Sequence, residues 1–356
     1  MPSTINKSFD IRQTNIAKGI ACLLLLFHHL FYNSPEYFER FTPLITTGSG
    51  VPLACVFAPL GKVCVAMFLL LSGYGMSCVL KKHNNSFSVK SSALICAKQL
   101  WKLWTNYIFI FVLFVPWQFL FNHMPYTGIQ DLIADIFGLS FLFGTPTMNG
   151  TWWYMTIAIL SYILTPLFYW LFNKNRGLAI LSIVTLMGIF IQFTDIYWIV
   201  FYFCGFILHE YNYFDIVSEC FNKHRIATIS ILLACLLFFT YYRFVHAIFI
   251  WDLLLSLGII TISYLLLSKI KVVSAFLSFL GKHSGNIFMF HTFIYLYDFQ
   301  NIIYAPKYAP LIYVFLLLVC IGVSVLIEII KKFTSFNKFV NYIGGLMVKP
   351  KSTEKS

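Results

Sequence analysis

Residues 15–32 read Asn-Ile-Ala-Lys-Gly-Ile-Ala-Cys-Leu-Leu-Leu-Leu-Phe-His-His-Leu-Phe-Tyr, and this stretch decides the fold. It is apolar enough to form a membrane-spanning helix, which needs about 20 mostly apolar residues. It also carries Lys18 near its start and the pair His28 and His29 near its end. Ionisable side chains are costly inside a spanning helix, so these three are candidates for function.

The spacing of these residues places two of them on one helix face. Lys18 and His29 are eleven residues apart, which is about three helical turns and about 16 Å along the axis. His28 comes one position earlier and points well away from that face. One face of the helix is therefore predicted to carry a cation near the membrane boundary and an imidazole deep inside.

Composition identifies the class of protein. Of the 356 residues, 59% are apolar and 11% are charged, with a mean hydropathy of +0.79. Soluble domains carry about 25% charged residues, so most of this surface is expected to face lipid. The net charge of +12 does not indicate a nucleic-acid partner, because no basic module with interleaved aromatic residues is present and the charge follows membrane topology.

The apolar runs predict an all-α integral membrane protein with about ten transmembrane helices. A further apolar segment, 129–143, is short and carries Asp131 and Asp135 on one side, which favours an interfacial or re-entrant helix. The ten predicted spans are 16–32, 60–80, 103–122, 151–172, 177–193, 196–211, 226–242, 247–268, 285–300 and 310–332.

The basic residues predict the orientation. With the N-terminus in the cytoplasm, only four of the 25 basic residues lie outside and the remaining 21 lie inside, as the positive-inside rule requires. An even number of spans then puts both termini in the cytoplasm, in a multi-pass protein of the cytoplasmic (inner) membrane. The four outer residues are Arg40, Lys62, Arg243 and Lys307.

This topology sets the domain organisation. Residues 1–15 form a cytoplasmic N-terminal segment, 16–332 a single membrane domain and 333–356 a cytoplasmic basic tail. The tail is rich in Lys and Ser, and we expect it to be disordered. The longest inner loop is predicted at 81–102, where it holds five lysines.

The cysteines do not indicate a metal or redox site. All nine are scattered, none forms a CxxC pair, and most fall inside apolar runs, which is typical of small buried hydrophobic residues. Adjacent His28 and His29 cannot bind one metal ion from the same helix face. We therefore expect no metal cofactor.

The segment from Lys18-Gly-Ile-Ala to His28-His29 resembles the first-helix motif of the acyltransferase-3 family of bacterial membrane acyltransferases. In that family an arginine precedes the catalytic histidine with ten residues between them. Lys18 takes the arginine position, His29 the histidine position, and Asn15 stands where many members have an aspartate. The opening is most similar to capsule and exopolysaccharide O-acetyltransferases of Gram-positive bacteria.

The resemblance implies a catalytic role for His29 and a donor-binding role for Lys18. His29 would act either as general base on the acceptor hydroxyl or as a relay that briefly carries the acyl group. A neutral imidazole suits both, since its ordinary pKa is about 6.5. Lys18 would contact the phosphates of acetyl-CoA. The alternative role for Lys18 is that of an ordinary positive-inside anchor, which fixes only the orientation of the helix. His28 is expected to be a packing or hydrogen-bonding neighbour.

Two further motifs resemble family segments on the donor side. Residues 61–77 resemble the family's second helix and contain Ser72-Gly-Tyr74, which suggests hydrogen bonds to the donor, although a small-residue packing seam explains them equally well. The stretch 98–107 is similar to an Arg-x-x-Arg segment, with Gln99 and Lys102 at the arginine positions and Lys98 adjacent. These lysines would bind CoA phosphates or anionic headgroups, or act only as topogenic charges.

Two other motifs concern the acceptor. Asn149-Gly-Thr-Trp-Trp153 opens the fourth predicted span, where tryptophans usually form an interfacial belt. Trp153 is nevertheless a candidate to stack on a sugar ring. The segment 279–291 resembles a late family motif that ends in His291, which is either structural or lines the substrate site. Asp252 is one carboxylate that could orient the His29 ring.

The sequence thus predicts a membrane O-acyltransferase that moves acetyl from cytoplasmic acetyl-CoA to a sugar hydroxyl. The acceptor would be a surface polysaccharide or its lipid-linked precursor. Some family members carry a fused extracytoplasmic domain, and we expect none here. The alternative is a transporter or flippase without covalent chemistry. Transporters often contain internal repeats with broken helices, and no such duplication is visible in the sequence.

Overall fold

A computed structural model describes residues 9–32, 40–83, 88–121, 123–190, 195–246, 249–297 and 299–348. The regular structure within these ranges is helical, with short 3-10 turns between some of the helices. The α-helices are α1 (Ile11–Phe31), α2 (Leu53–Phe57), α3 (Val63–His83), α4 (Val89–Leu120), α5 (Ile129–Ile136), α6 (Ser140–Phe143), α7 (Trp153–Lys174), α8 (Arg176–Phe190), α9 (Ile199–Glu210), α10 (Tyr213–Lys223), α11 (Arg225–Val245), α12 (Phe249–Leu265), α13 (Lys271–Tyr295), α14 (Gln300–Tyr304), α15 (Ala309–Phe333) and α16 (Phe336–Val348).

Seven helical segments in the described ranges are long and apolar enough to cross a membrane. Each of the ten predicted spans nevertheless overlaps a helix, although α13 begins fourteen residues before the span predicted at 285–300 and ends at Tyr295. The three that fall short of the length or hydropathy needed are α8 and α9, which are short, and α13, which contains the polar run from Gly281 to Asn286. The seven segments are Ile11–Phe31, Leu53–His83, Val89–Leu120, Gly150–Lys174, Arg225–Val245, Ile250–Lys269 and Ala309–Phe333.

Two expectations about polar segments were wrong. The inner loop predicted at 81–102 is mostly helix, because α3 continues to His83 and α4 begins at Val89. The tail beyond 332 was expected to be disordered, but residues 336–348 form α16, whose Val340 and Gly344 are buried. The lysine-rich composition concealed an apolar face that packs on α4. Residues 349–356 lie outside the described ranges.

The chain divides into two compact units. One comprises residues 1–74 and 204–325, and the other comprises 75–203 and 326–356. In the first unit α1 is the central element and packs most extensively on α13. In the second, α4 packs on both α7 and α16.

Helices α1 and α13 run parallel to each other. Near their N-termini the Arg12 guanidinium donates to the Ser274 hydroxyl at 3.1 Å. Near their C-terminal ends the His29 and His291 rings lie 4.9 Å apart between centroids. Both pairs are separated by the same number of residues along the chain, so the two helices advance together in one direction.

Two glycines bring these helices into backbone contact. A Cβ atom added at Gly19 would overlap the carbonyl oxygen of Leu277, and one added at Gly281 would overlap the carbonyl oxygen of Asn15. Small residues allow helices in a membrane to approach closely, where van der Waals contact rather than the hydrophobic effect drives their association. The close approach fixes α13, and therefore His291, against α1.

Tyrosine hydroxyls attach two further elements to α1. Tyr313 on α15 donates to the Leu23 carbonyl at 3.0 Å, and Tyr304 on α14 donates to the Leu30 carbonyl at 3.3 Å. His283 on α13 faces α15 instead, since its Nδ1 lies 2.8 Å from the Ser324 hydroxyl. These contacts use polar groups to hold helices together within an apolar unit.

Candidate active site

His29 lies on the last turn of α1 and is half-buried. Its ring is 4.9 Å from that of His291 and 6.4 Å from that of Tyr295, both on α13. The parallel packing of the two helices therefore brings together two imidazoles that are far apart in the sequence. Neither composition nor periodicity could have indicated this pairing.

The geometry of His291 defines its tautomer. The side chain is fully buried, and Nδ1 lies 3.0 Å from the carbonyl oxygens of both Ile287 and Phe288. Carbonyl oxygens only accept, so Nδ1 carries the proton and Nε2 of the neutral ring keeps a lone pair. Nε2 is buried and has no hydrogen-bond partner within the described part of the chain. It can therefore accept a hydrogen bond from the His29 ring or from a bound hydroxyl.

His28 is a structural neighbour, as its register predicted. Its Nδ1 donates to the Ala58 carbonyl at 2.9 Å, and its ring stacks on Tyr32 at 4.6 Å. An added Cβ at Gly61 would meet the His28 Cβ at 2.7 Å. His28 thus holds the turn after residue 57 against α1, and its contacts are structural.

Lys18 lies three turns before His29 on the same helix and is half-buried. Among the residues that the structure describes, no carboxylate pairs with its ammonium group. Lys18 is the eighth residue of α1, and a cation without a described counter-charge about two turns into a spanning helix is energetically costly. An anionic ligand at this point would remove that cost.

Asp252 has a different partner from the one considered above. Its carboxylate accepts a hydrogen bond from Arg243 Nε at 2.6 Å, and the Arg243 and Asp252 side chains are 12% and 5% exposed. Removing one partner of a buried pair is strongly destabilising. This pairing gives Asp252 a structural role in joining α11 to α12.

The other donor-side candidates of the first unit lie on α3. Ser72 and Tyr74 are both half-buried. The Tyr74 ring packs edge-on against Phe9, Phe214 and His209, with centroid distances of 5.2, 5.4 and 5.0 Å. Tyr74 is thus part of an aromatic cluster that joins the N-terminus to α9 and α10, and donor binding by either residue stays a prediction.

Lys98 and Lys102 belong to the second unit and lie within α4, about three turns after its first residue. They are four residues apart and therefore share one helix face. Both are half-buried. Lys98 contacts α16, since a Cβ atom added at Gly344 would lie 3.3 Å from its Cγ.

Trp153 is the first residue of α7 in the second unit and is half-buried. Its ring lies 6.1 Å from Phe141 and 6.0 Å from Trp198. The adjacent Trp152 is buried against Tyr107 at 4.8 Å. Of the two tryptophans, Trp153 is therefore the one whose side chain is partly exposed and can contact a ligand.

Asp135 organises the loop that precedes Trp153, a role that no sequence motif indicated directly. Its buried carboxylate accepts hydrogen bonds from Tyr126 at 2.6 Å, Thr147 at 2.7 Å, Met148 N at 2.8 Å and Ser140 at 3.1 Å. Burial raises the pKa of Asp135, whereas these hydrogen bonds lower it. The sequence feature that could have indicated this role is an acidic residue in a short apolar segment, followed by several residues with hydroxyl groups.

We expect Asp135→Ala to destabilise the protein by on the order of 3 kcal/mol, because each buried donor left unsatisfied costs about 1–3 kcal/mol. The measurement is thermal unfolding of the purified protein in detergent. Asp131→Ala is the matched control, since Asp131 accepts mainly from Thr127 at the end of the same short helix. Equal melting temperatures for the two variants would contradict the assignment.

The described residues contain no group of three or more His, Cys, Asp or Glu side chains that could hold a metal ion. All nine cysteines are free thiols.

Comparison with protein-family models matches residues 11–329 to a model described as an acyltransferase domain. Comparisons with curated proteins and with solved structures gave no match.

Proposed function

The chain belongs to the acyltransferase-3 family, and we propose that it transfers acetyl from cytoplasmic acetyl-CoA to a sugar hydroxyl. The acceptor in this proposal is a capsular or other surface polysaccharide, or its lipid-linked precursor. The family match makes the chain a membrane acyltransferase. The observation that supports transfer to a hydroxyl group is the His29–His291 pair, whose rings lie 4.9 Å apart between the parallel helices α1 and α13.

His29 performs the proton transfer in this proposal. As a general base it takes the proton of the acceptor hydroxyl while the hydroxyl oxygen attacks the thioester carbonyl. The carbon–sulfur bond breaks, the acetyl group becomes a sugar ester, and the thiolate of CoA receives a proton. As a relay, His29 would itself accept the acetyl group on a ring nitrogen before the sugar does.

His291 lines the acceptor side of the site. Its buried Nε2 carries a lone pair without a partner among the described residues. That lone pair can hold the acceptor hydroxyl or the His29 N–H in a fixed direction. Orienting a base through a second group is a common arrangement in nucleophilic catalysis.

The donor enters from the cytoplasm in this proposal. Lys18 lies about 16 Å from His29 along α1, which suits phosphates at the membrane boundary and a pantetheine arm that reaches inward. The parallel α1 and α13 support a plan of ten spans with both termini inside, since the first and ninth spans must cross in the same direction. Lys98 and Lys102 remain donor contacts, and Trp153 an acceptor contact, on the family resemblance alone.

The experiment compares surface polysaccharide from cells with and without the protein by mass spectrometry and proton NMR. The proposal expects O-acetyl signals only when the protein is present, and release of free CoA by purified protein supplied with acetyl-CoA and acceptor. Unchanged polysaccharide together with intact acetyl-CoA would favour the transporter or flippase instead. Acyl transfer to a different acceptor would correct the substrate class only.

We expect Lys18→Glu to weaken CoA binding at least tenfold, because a charged hydrogen bond contributes about 1.5–3 kcal/mol and the variant repels phosphate. The measurement is the thermal shift of purified protein over a range of CoA concentrations. Lys18→Arg is the matched control and should bind CoA as well as the wild type does, since arginine also binds phosphate. Equal stabilisation of Lys18→Glu and wild type by CoA would refute the contact.

A further inference from the structure

Helix α16 is amphipathic, and its apolar face is divided between two environments. At 100° per residue, Asn337, Lys338, Asn341 and Gly345 fall on one side of the helix, and the rest of its circumference is apolar. The family match ends at residue 329, so α16 lies beyond the acyltransferase domain. Its role can therefore be separate from acyl transfer.

One edge of the apolar face is bound to α4. The Trp101 indole donates to the Val340 carbonyl at 3.2 Å, and the Phe109 and Phe336 rings lie 4.7 Å apart. Gly344 is buried on the same edge. These contacts fix the rotation of α16 about its own axis.

The other edge of the apolar face is uncovered. Phe339 is 57% exposed, Tyr342 67% and Leu346 50%. These three residues lie within about 60° of one another around the helix and form a continuous apolar strip. A strip of two aromatic residues and a leucine is typical of helices that lie in a membrane interface.

The position and charge of α16 indicate what covers this strip. Helix α15 is a candidate membrane span that ends at Phe333, and α16 begins three residues later at Phe336. Lys332 and Lys338 are exposed, and the sequence from 329 to 353 contains no Asp or Glu. Clustered lysines beside a membrane span attract anionic lipid headgroups, at about 1 kcal/mol for each charge.

We propose that α16 binds the surface of the cytoplasmic leaflet, with Phe339, Tyr342 and Leu346 inserted between lipids and the lysines at anionic headgroups. A second copy of this chain fits the strip less well, because it would bring like charges together. The helix in this way joins α4 to the lipid surface at the turn that carries Lys98 and Trp101. This inference does not depend on the identity of the acyl donor or acceptor.

The test uses the full chain in nanodiscs of phosphatidylglycerol and phosphatidylcholine with brominated acyl chains. A fluorescent amino acid is incorporated by stop-codon suppression at Tyr342 or Leu346, with Asn337 and Asn341 as matched control positions on the polar side. We expect the lipid to quench the first two probes at least threefold more strongly than the controls. Equal quenching at all four positions would overturn the proposal.

A second measurement tests the charge. Amide hydrogen exchange of residues 336–348 should be at least threefold slower in discs that contain phosphatidylglycerol than in discs of phosphatidylcholine alone. Replacing Lys332 and Lys338 by Gln should remove that difference. Equal exchange rates in the two kinds of disc would refute lipid binding. Discs that hold two chains, with probes at 342 and 346 that the lipid does not quench, would also refute it.

Discussion

We expect His29→Ala to lower the rate of acetyl transfer by about 10²–10⁴-fold, which is the contribution of a positioned general base. The hydroxyl of a sugar is a poor nucleophile until its proton is removed, and alanine cannot accept one. The loss would be at least as large if His29 carries the acetyl group itself. Transfer is measured as free CoA and acetylated polysaccharide per folded protein molecule.

His28→Asn is the matched control for this variant. The asparagine amide can still donate to the Ala58 carbonyl, which His28 Nδ1 contacts at 2.9 Å. We therefore expect this neighbouring substitution to keep most of the activity at a normal protein level. Undiminished acetylation by His29→Ala, or an equal loss in both variants, would exclude His29 as the catalytic residue.

Brief incubation with radiolabelled acetyl-CoA, without acceptor, distinguishes the two roles of His29. A relay transfers label to the wild-type protein and none to His29→Ala. A direct base leaves both proteins unlabelled. Either result is compatible with the loss of turnover, so the labelling experiment assigns the mechanism and the variant assigns the residue.

The first helix could be predicted from the sequence because its signal is local. Lys18 and His29 lie eleven residues apart in one apolar run, so their shared face follows from helix geometry alone. The partner of His29 could not be predicted in this way. His291 is 262 residues further along the chain, and the two rings meet only because α1 and α13 pack in parallel.

The boundaries of charged segments were predicted less well. Lysine-rich stretches next to spans were interpreted as a loop at 81–102 and as a disordered tail beyond 332, but both contain helix. Lysine is a good helix former, and an apolar strip at helical spacing is easily overlooked when hydropathy is averaged over a window. In α16 the decisive residues are Val340 and Gly344, which are apolar and buried against α4.

We expect Gly281→Ala to destabilise the protein by about 3 kcal/mol, at the upper end of the usual cost of overpacking. The added Cβ atom would overlap the backbone carbonyl oxygen of Asn15. A backbone atom cannot rotate away as a side chain can, so α1 and α13 must separate. Separation also moves His291 from His29, and we expect acetyl transfer to fall with stability.

Gly285→Ala is the matched control, one turn further along the same helix. Among the residues that the structure describes, no atom of another element lies within 4 Å of a Cβ atom added at Gly285, and alanine in place of a helical glycine gains about 1 kcal/mol. The two substitutions are chemically identical and should shift the thermal unfolding midpoint in opposite directions. A Gly281→Ala protein that melts at or above the wild-type temperature with full activity would show that α1 and α13 do not meet as closely as the structure places them.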